Sequence, residues 1–348
     1  MTKQAFIHEL KTALSQVSES VRDEIISDIS EHFTVGISQG LSEEDICRSL
    51  GQPGTIAAQV LEETGSLPQQ HSYSTSQANH KGDIDMTFAG ISSVRAELEA
   101  SKLKFLPSHN GEFRVVFQGA TSDDTCIAEN LNGVLFVSVK PKQNRLFGIR
   151  LFAGKANVET TIYVPSQFMG ELKAKSAAGS ISATDTTGDL VLDTAAGSIK
   201  VNGHSCAKAR IRSAAGSIKL YLADKFISEA DVSSAAGSVT LEARETGWLD
   251  VKSAAGSVKV NVNKLGGNTK IKSAAGSVHL KANEVAGDID IDSSMGSINV
   301  HLPADIDLHI DIIKHGMGSI RNNLHGNRHA KHTLRATSSM GSVNINPL

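Results

Sequence analysis

Histidines are concentrated late in this sequence, at spacings that could support metal binding. His329 and His332 have the short separation found between zinc ligands, but no cysteine or evident fourth ligand accompanies them. Gly326, Asn327 and Arg328 indicate a solvated loop around this pair. We therefore expect no metal site and no cofactor. The late histidines are His301, His309, His315, His325, His329 and His332.

Three aspartates at alternate positions could bind calcium. Asp288, Asp290 and Asp292 would share one outward face of a strand, and calcium prefers carboxylate oxygens. The equivalent outward positions of the preceding repeat are Lys270 and Lys272. Repeats stacked about 4.8 Å apart would place these opposite charges side by side, where they stabilise each other. We therefore interpret the aspartates as part of an alternating charge pattern that stabilises the stack.

A hydroxyl residue recurs three positions before most of the repeated glycines. A row of nucleophiles would need a base at a fixed spacing, and the sequence offers none. Strand alternation points these side chains inward, where a hydroxyl without a partner costs about 1 to 3 kcal/mol. We therefore expect hydrogen bonds to the backbone or to the hydroxyl one repeat away. The set is Ser176, Thr194, Ser213, Ser234, Ser253, Ser273, Ser293 and Ser338.

A mildly basic set of residues lies three positions after the same glycines. Strand alternation places these side chains on the outside, where they could contact an anionic polymer or a lipid headgroup. The alternative is an ordinary solvated face. The candidate binding residues in this set are Lys200, Lys219, Lys259 and His279, and the other members are Ser182, Thr240 and Asn299.

All of these residues belong to a repeat of about twenty residues. Nine times a small-residue corner precedes an aliphatic residue, six times as Ala-Ala-Gly-Ser-Ile/Val, with 18 to 23 residues between successive corner glycines. Aliphatic and polar residues alternate on both sides of each corner, which is typical of half-buried strands. The sequence therefore predicts a mainly β fold, a parallel β-solenoid of about 20-residue coils. The structural corners are Gly179, Gly197, Gly216, Gly237, Gly256, Gly276, Gly296, Gly318 and Gly341.

The residue before the corner glycine changes along the chain. It is alanine in the first six repeats and methionine at Met295, Met317 and Met340. Because methionine fills irregular gaps in protein cores, we expect the interior to widen toward the C terminus. Coils stacked in sequence order would leave the last strand, 343–345, as an uncapped edge.

Residues 83–165 retain strand patterns without the corner motif. Alternating aliphatic residues recur in 113–117, 135–139 and 158–164. We expect these strands to form irregular first coils of one solenoid domain spanning 83–348. The preceding segment, 65–82, is rich in Ser, Gln and His and predicts a flexible linker.

Residues 1–64 have helical periodicity instead. Apolar residues recur every three or four positions, and Ser42 followed by Glu43 and Glu44 resembles a capping box, which together predict three to four helices. Four basic residues against eleven acidic ones give this segment a net charge of about −7. Its candidate partner-binding residues are Asp23, Asp28, Glu31, Phe33, Glu43 and Glu44.

Composition argues against several functional classes. The net charge of −3 favours no nucleic-acid partner, and 4% aromatic residues leave little with which to line a polysaccharide-cleaving cleft. No phosphate-binding loop, dinucleotide fingerprint or nucleophile elbow is present, so we expect no enzyme activity. Three scattered cysteines indicate free thiols. No apolar run has the length of a signal or a membrane span, so we expect a cytoplasmic protein that could associate peripherally with a membrane.

Two stretches resemble known bacterial families. Residues 83–348, with their repeated Gly-Ser-Ile/Val corners, resemble the putative adhesin family, whose function is largely undefined. Residues 1–63 resemble the HAAS signalling domain, with the Leu-Gly-Gln-Pro segment as the more specific element. The residues that carry this second resemblance are Glu31-His32-Phe33, Gly40-Leu41-Ser42-Glu43-Glu44 and Leu50-Gly51-Gln52-Pro53 followed by Ile56-Ala57.

The resemblances imply an envelope-stress or signalling context in a membrane or surface setting. In one hypothesis, the helical domain binds a regulatory or membrane protein while the solenoid serves as a rigid presentation surface. In the alternative, the solenoid itself binds an anionic envelope polymer or lipid, or it self-associates end to end through its edge strands.

Overall fold

The chain forms two compact units, Met1–Ser76 with Lys142–Gly154 and Gln77–Pro141 with Lys155–Leu348. The predicted linker, 65–82, lies outside the described residues, so its flexibility stays a prediction. The computed structural model describes residues 1–15, 22, 26, 29–30, 33–34, 37, 42–55, 57, 83–121, 124–141, 145–146, 149–150 and 158–348.

The first unit contains helices α1 (Lys3–Ala13) and α2 (Glu43–Leu50). The hydroxyl groups of Thr2 and Ser42 accept hydrogen bonds from backbone N–H groups three residues later, so each caps the start of its helix. Phe6 and Phe33 pack edge to face, with ring centroids 5.8 Å apart, within a small apolar core. The predicted helical N-terminal region is confirmed in these residues.

The described strands are numbered in chain order. Those up to the first corner are β1 (Ile84–Phe88), β2 (Ser93–Leu98), β3 (Lys102–Ser108), β4 (Phe113–Gln118), β5 (Asp124–Leu131), β6 (Val134–Pro141), β7 (Arg145–Leu146), β8 (Ile149–Arg150), β9 (Glu159–Pro165) and β10 (Glu171–Ser176). Those up to the long strands are β11 (Ile181–Thr184), β12 (Asp189–Thr194), β13 (Ile199–Asn202), β14 (Lys208–Ser213), β15 (Ile218–Ser234) and β16 (Val239–Ser253). The remainder are β17 (Val258–Leu265), β18 (Thr269–Ala275), β19 (Val278–Val285), β20 (Ile289–Met295), β21 (Ile298–Leu302), β22 (His309–Lys314), β23 (Ile320–Asn322), β24 (Thr333–Met340) and β25 (Val343–Pro347).

Parallel pairing between successive coils confirms the predicted solenoid. Strands that precede a corner pair with one another in register, as β10 with β12 and β12 with β14. Strands that follow a corner do the same, as β11 with β13 and β17 with β19. We call these two sets the first face and the second face. The long strands β15 and β16 run from the second face into the first.

Aliphatic side chains from both faces meet in one continuous core. In the coil of Gly256, the inward residues are Leu249, Val251, Val258 and Val260, and each is at most 1% exposed. Burying a side chain of this size stabilises the fold by about 1.5 to 3 kcal/mol. The alternation of inward aliphatic and outward polar residues predicted from the sequence is therefore what holds each coil in place.

The corner glycines are required because neighbouring coils approach very closely there. A Cβ built on Gly256 would lie 2.5 Å from the carbonyl oxygen of Gly237, which is backbone and cannot move aside. The flanking alanines bond coil to coil, as in Ala255 N–H to Ala235 O at 3.0 Å. Close approach excludes any side chain from this position.

The inward hydroxyls form the expected ladder to the backbone. Ser253 Oγ donates to the carbonyl of Gly237 at 3.1 Å, and Ser234 Oγ donates to that of Gly216 at 3.0 Å. Most of these hydroxyls thus bond the corner of the preceding coil, whereas Ser338 bonds the carbonyl of Gly341 in its own corner. Ser176 is an exception, since its Oγ is buried and has no hydrogen-bond partner among the described residues.

The last two coils are stacked in the reverse of their sequence order. β20 pairs with β24 and β24 pairs with β22, while β21 pairs with β25 and β25 pairs with β23. The coil of β24 and β25 therefore lies inside the coil of β22 and β23. The expectation that 343–345 forms an uncapped edge is wrong, because Val343 is paired with Ile298 on one side and with Ile320 on the other.

The opposite end also departs from sequence order. β6 and β9 add parallel strands outside β2 and β3, whereas β4, β5 and β1 pair antiparallel and close this end. The expectation that 83–165 would form only irregular first coils is therefore wrong for these antiparallel strands. At this end, β6 and β9 follow β2 and β3 in the sequence but lie outside them. At the other end, β22 and β23 precede β24 and β25 in the sequence but lie outside them.

The methionines before the last three corners do not fill a widened interior. Met295, Met317 and Met340 are 52%, 79% and 48% exposed. The position before the corner glycine points outward, and the alanines there in other coils, such as Ala255, are exposed too. The expectation of core methionines is wrong, because the corner turns the chain and places this residue on the convex side.

Candidate anion-binding surface

The second face aligns the candidate basic residues in one column. The registers place Lys200 beside Lys219, then Thr240, Lys259 and His279 in consecutive coils. We call these five residues the lysine column. All four of its basic side chains are exposed, and neighbouring strands lie about 4.8 Å apart.

The lysine column has no carboxylate to neutralise it. No salt bridge to Lys200, Lys219 or Lys259 exists among the described residues. The next outward position along the same strands holds one carboxylate, Glu242, and one further cation, Lys281. The remaining residues at that position are Asn202, Tyr221 and Asn261. This part of the second face is therefore cationic and open to solvent.

Two basic residues in the irregular coils extend the same column. The register continues through Ser182 to Lys104 at one end and through Asn299 and Asn344 to Arg321 at the other. Lys104 pairs with Glu159, whereas Arg321 is exposed. Sequence reasoning missed Lys104 because no corner glycine precedes it, whereas Arg321 lies three positions after the corner Gly318 and the same rule could have found it.

Charges on the first face are largely paired with each other. Arg212 lies 3.4 Å from Asp231, and Lys272 lies 3.6 Å from Asp292. The predicted alternation of charge sign from coil to coil is incomplete, because Asp231 stacks beside Asp250 and Lys252 stacks beside Lys272. Lys252 compensates by bonding Asp250 within its own strand at 2.7 Å. These charges of the first face thus have partners that Lys200, Lys219 and Lys259 lack among the described residues.

The late histidines and aspartates are used in local contacts. Asp288 accepts the backbone N–H of Thr333 at 2.9 Å, and His332 Nδ1 lies 3.8 Å from the same carboxylate. The His309 N–H bonds the carbonyl of His332. In the part of the chain that the structure describes, no three His, Cys, Asp or Glu side chains are placed to hold a metal ion.

A buried histidine was missed by the sequence analysis. His204 is 0% exposed, and its Nε2 donates to the Gly188 carbonyl at 2.7 Å while Thr186 Oγ1 bonds its Nδ1 at 2.7 Å. Burial lowers the pKa of His204 to about 4, so the imidazole is neutral at pH 7. Burial likewise raises the pKa of the Cys206 thiol to about 12. Nothing in the local sequence distinguishes His204 from a surface histidine.

A groove of about 1120 Å³ follows the corners on the side of the first face. The first alanine of each corner lines it, together with outward charges of both signs such as Lys175, Asp193 and Arg212. Sequence reasoning treated the corner as a folding element alone. The signal that could have revealed the groove is strand alternation, because the residue after an inward serine must point outward.

The partner-binding set proposed for the helical region is only partly described. Asp23, Asp28 and Glu31 lie outside the described residues. Phe33 is fully buried, so its assignment to a binding surface is wrong and its role is packing against Phe6.

Glu43 and Glu44 lie in the first turn of α2. Glu43 Oε2 accepts the backbone N–H of Lys3 at 2.9 Å, and Glu44 is exposed.

Within the described residues, no helix has both the length and the apolar character needed to cross a bilayer.

Comparison with solved structures finds similar chains among bacterial proteins. A protein described as a putative adhesin from Bacteroides fragilis is 14% identical, with 78% of this chain and 99% of that chain covered and a TM-score of 0.41. A second one so described, from Parabacteroides merdae, is 12% identical, with 76% and 95% covered and a TM-score of 0.31. A protein described as a putative cell adhesion protein from Clostridium sporogenes is 12% identical, with 76% and 99% covered and a TM-score of 0.23.

Family models match both parts of the sequence. The HAAS model matches residues 5–59, which include α1 and α2. No curated protein matches the sequence at a significant level. The model described as Toastrack DUF4097 matches residues 91–346, well over half of the chain and nearly all of the coiled strands. The chain therefore belongs to the Toastrack DUF4097 family and carries a HAAS domain at its N terminus.

Proposed function

We propose that this protein is a non-enzymatic binding protein whose solenoid holds a linear anionic polymer along the lysine column. The observation that carries the proposal is the alignment of Lys200, Lys219 and Lys259 in register, with no salt bridge to a carboxylate among the residues that the structure describes. Lys200 and Lys219 are stacked like charges that repel each other, and no salt bridge among the described residues offsets this cost, whereas the stacked aspartates of the first face have Lys252 bonded to Asp250. A bound polyanion removes that repulsion.

The spacing of the column suits a repeating ligand. Coils lie about 4.8 Å apart, so Lys200 and Lys219 are one coil apart and Lys219 and Lys259 are two coils apart, and an extended chain of phosphates or carboxylates meets several cations at once. An envelope polymer or a surface of anionic lipid headgroups has this chemistry. Association with such a ligand would place the protein at the membrane periphery, in the envelope-stress or signalling context that we propose for it.

The helical domain supplies a separate protein-binding function in this proposal. It matches the HAAS model and carries a net charge of about −7, opposite in sign to the lysine column. We propose that it binds a regulatory or membrane protein while the solenoid holds the polymer. Deletion of residues 1–64 should then remove a co-purifying protein and leave polymer binding intact, whereas an unchanged set of partners would contradict this role.

The test of polymer binding uses the full chain and matched charge variants. Linear polyphosphate, a linear polyuronate and vesicles with anionic headgroups are titrated separately at increasing salt. The triple variant Lys200→Gln, Lys219→Gln, Lys259→Gln should weaken binding about tenfold or more, which is about 1.4 kcal/mol. The control Arg212→Gln, Lys252→Gln, Lys272→Gln removes the same charge from the first face. Equal losses of binding affinity in both triple variants would refute specific binding at the lysine column.

A second candidate function is self-association through the outermost coil. β22 and β23 each pair on one side only within the described strands, and all three residues of β23 are exposed, including Ile320 at 51%. Edge strands of this kind pair readily with another chain. Sedimentation should then show concentration-dependent dimers that Ile320→Lys abolishes, and a monomer at all concentrations would rule this function out.

A further inference from the structure

Three methionines form an exposed column at one end of the corner ridge. Half of the six methionines in the sequence occupy the position before a corner glycine, where every other repeat has alanine. Met317, Met295 and Met340 are 79%, 52% and 48% exposed. They contribute little to the core, so packing does not explain why methionine replaces alanine here.

The stacking order brings these methionines into consecutive coils. Met295 and Met340 are register partners in β20 and β24. The Gly296 N–H bonds Met340 O at 2.9 Å, and the Gly341 N–H bonds Met317 O at 3.1 Å, so Met340 is the middle residue. Neighbouring coils lie about 4.8 Å apart, and the three rotatable bonds of methionine let the outer sulfurs lean toward the central one.

The residues around the three methionines favour a soft metal ion over a hard one. Ser294 and Ser339 precede two of the methionines, Gly316 precedes the third, and a corner glycine follows each. No carboxylate lies within two residues of any of the three methionines, and the one imidazole within that range is His315, a neutral nitrogen ligand that is also compatible with a soft ion. A cation lies close to the column, because the ammonium group of Lys314 donates to the carbonyl of Met317. A neutral thioether set beside a cation disfavours divalent hard metals and suits a monovalent soft ion.

We propose that Met295, Met340 and Met317 form a thioether site for a soft monovalent cation of the Cu(I) class. The three sulfurs bind the ion as neutral ligands, so no proton is released and no redox change is required. The site lies on the corner ridge and shares no residue with the lysine column. It is therefore independent of the proposed polymer binding.

The test follows each sulfur directly in the full chain. The protein is labelled at the methionine methyl carbons and titrated with Ag(I), a redox-stable probe for Cu(I). The methyl resonances of Met295, Met317 and Met340 should shift together and saturate at one equivalent. Met169 is 85% exposed at a distant position in the sequence and is the internal control, since its resonance should not move with them.

Two variants test whether the methionine sulfurs are the ligands. Met340→Leu keeps the apolar surface but removes the central sulfur, and it should weaken Ag(I) binding to the column about tenfold or more. Lys314→Gln removes the opposing charge and should strengthen binding. Binding of silver by the cysteine thiols leaves the methyl resonances unchanged, so it cannot imitate the result. Independent titration of the three methyl groups, or equal affinity in Met340→Leu, would overturn the proposal.

Discussion

The Ile298 N–H donates a hydrogen bond to the carbonyl of Ser342 at 2.9 Å, although the coil of β22 and β23 lies between them in sequence. This bond joins β21 directly to β25 and places the final coil inside the stack. β25 is thereby paired on two sides, with β21 and with β23.

Because the coil of β24 and β25 lies inside the stack, truncating a core residue there should lower the free energy of unfolding more than truncating a residue of the outer coil. Ile345 is fully buried between β21 and β23, so Ile345→Ala should lower the free energy of unfolding by about 2 to 5 kcal/mol. Ile320→Ala, in the outer coil, should cost less because Ile320 is half exposed. Urea denaturation of both variants measures the difference, and equal losses would contradict the stacking order.

The hydroxyl ladder predicts that two buried serines, Ser253 and Ser176, contribute differently to the stability of the protein. Ser253→Ala removes a hydrogen bond to the Gly237 carbonyl and should destabilise the protein by about 1 kcal/mol. Ser176→Ala removes a buried hydroxyl that lacks a partner among the described residues, so it should be neutral or stabilising. Paired thermal and urea unfolding curves test this. If Ser176→Ala loses as much stability as Ser253→Ala, the hydrogen bonds of the ladder do not account for what these serines contribute to stability.

The closeness of the corners predicts that a single methyl group is not tolerated there. Gly256→Ala would place a Cβ 2.5 Å from the Gly237 carbonyl oxygen, so we expect a loss of about 1 to 3 kcal/mol from forced backbone shifts. The neighbouring Ser257 is exposed, and Ser257→Ala should change stability by less than about 0.5 kcal/mol. An unchanged melting temperature for the glycine variant would argue against close coil contact.

His204 predicts a loss of stability in mild acid. Its pKa is lowered from 6.5 to about 4 in the folded protein because burial disfavours the charged imidazole. Between these pH values the unfolded chain binds the proton and the folded chain does not, so stability falls as the pH decreases from 6.5 toward 4. The loss amounts to about 3 kcal/mol.

The readout for His204 is the slope of stability with pH rather than its absolute value. Urea unfolding of the wild type is compared with His204→Gln from pH 7.5 to 4.5. The variant should show a shallower decrease in this window, because it has no imidazole to protonate. Parallel curves for the two proteins would contradict the assignment.

The coil itself was predictable from the sequence because its signals are local. Alternation placed Leu249 and Val251 inside, the serine register gave the hydroxyl ladder, and the spacing of the lysines gave their common column. The outward direction of Met340 was not predictable from alternation, which places Met340 on the same side as the inward Ser338; Met340 points outward because the chain turns at the corner. Phe33 shows the converse error, because an apolar residue in an amphipathic helix belongs first to the core.

What the sequence by itself determined is the repeat: two strands, a glycine corner and outward polar residues in each coil, with an inward hydroxyl in most coils. Only the tertiary structure decided the order of the terminal coils, the antiparallel strands that close one end and the burial of His204. The physical reason is that every coil presents nearly the same edge to its neighbours. Local pattern therefore specifies how a coil stacks, whereas it does not specify which coil it stacks upon.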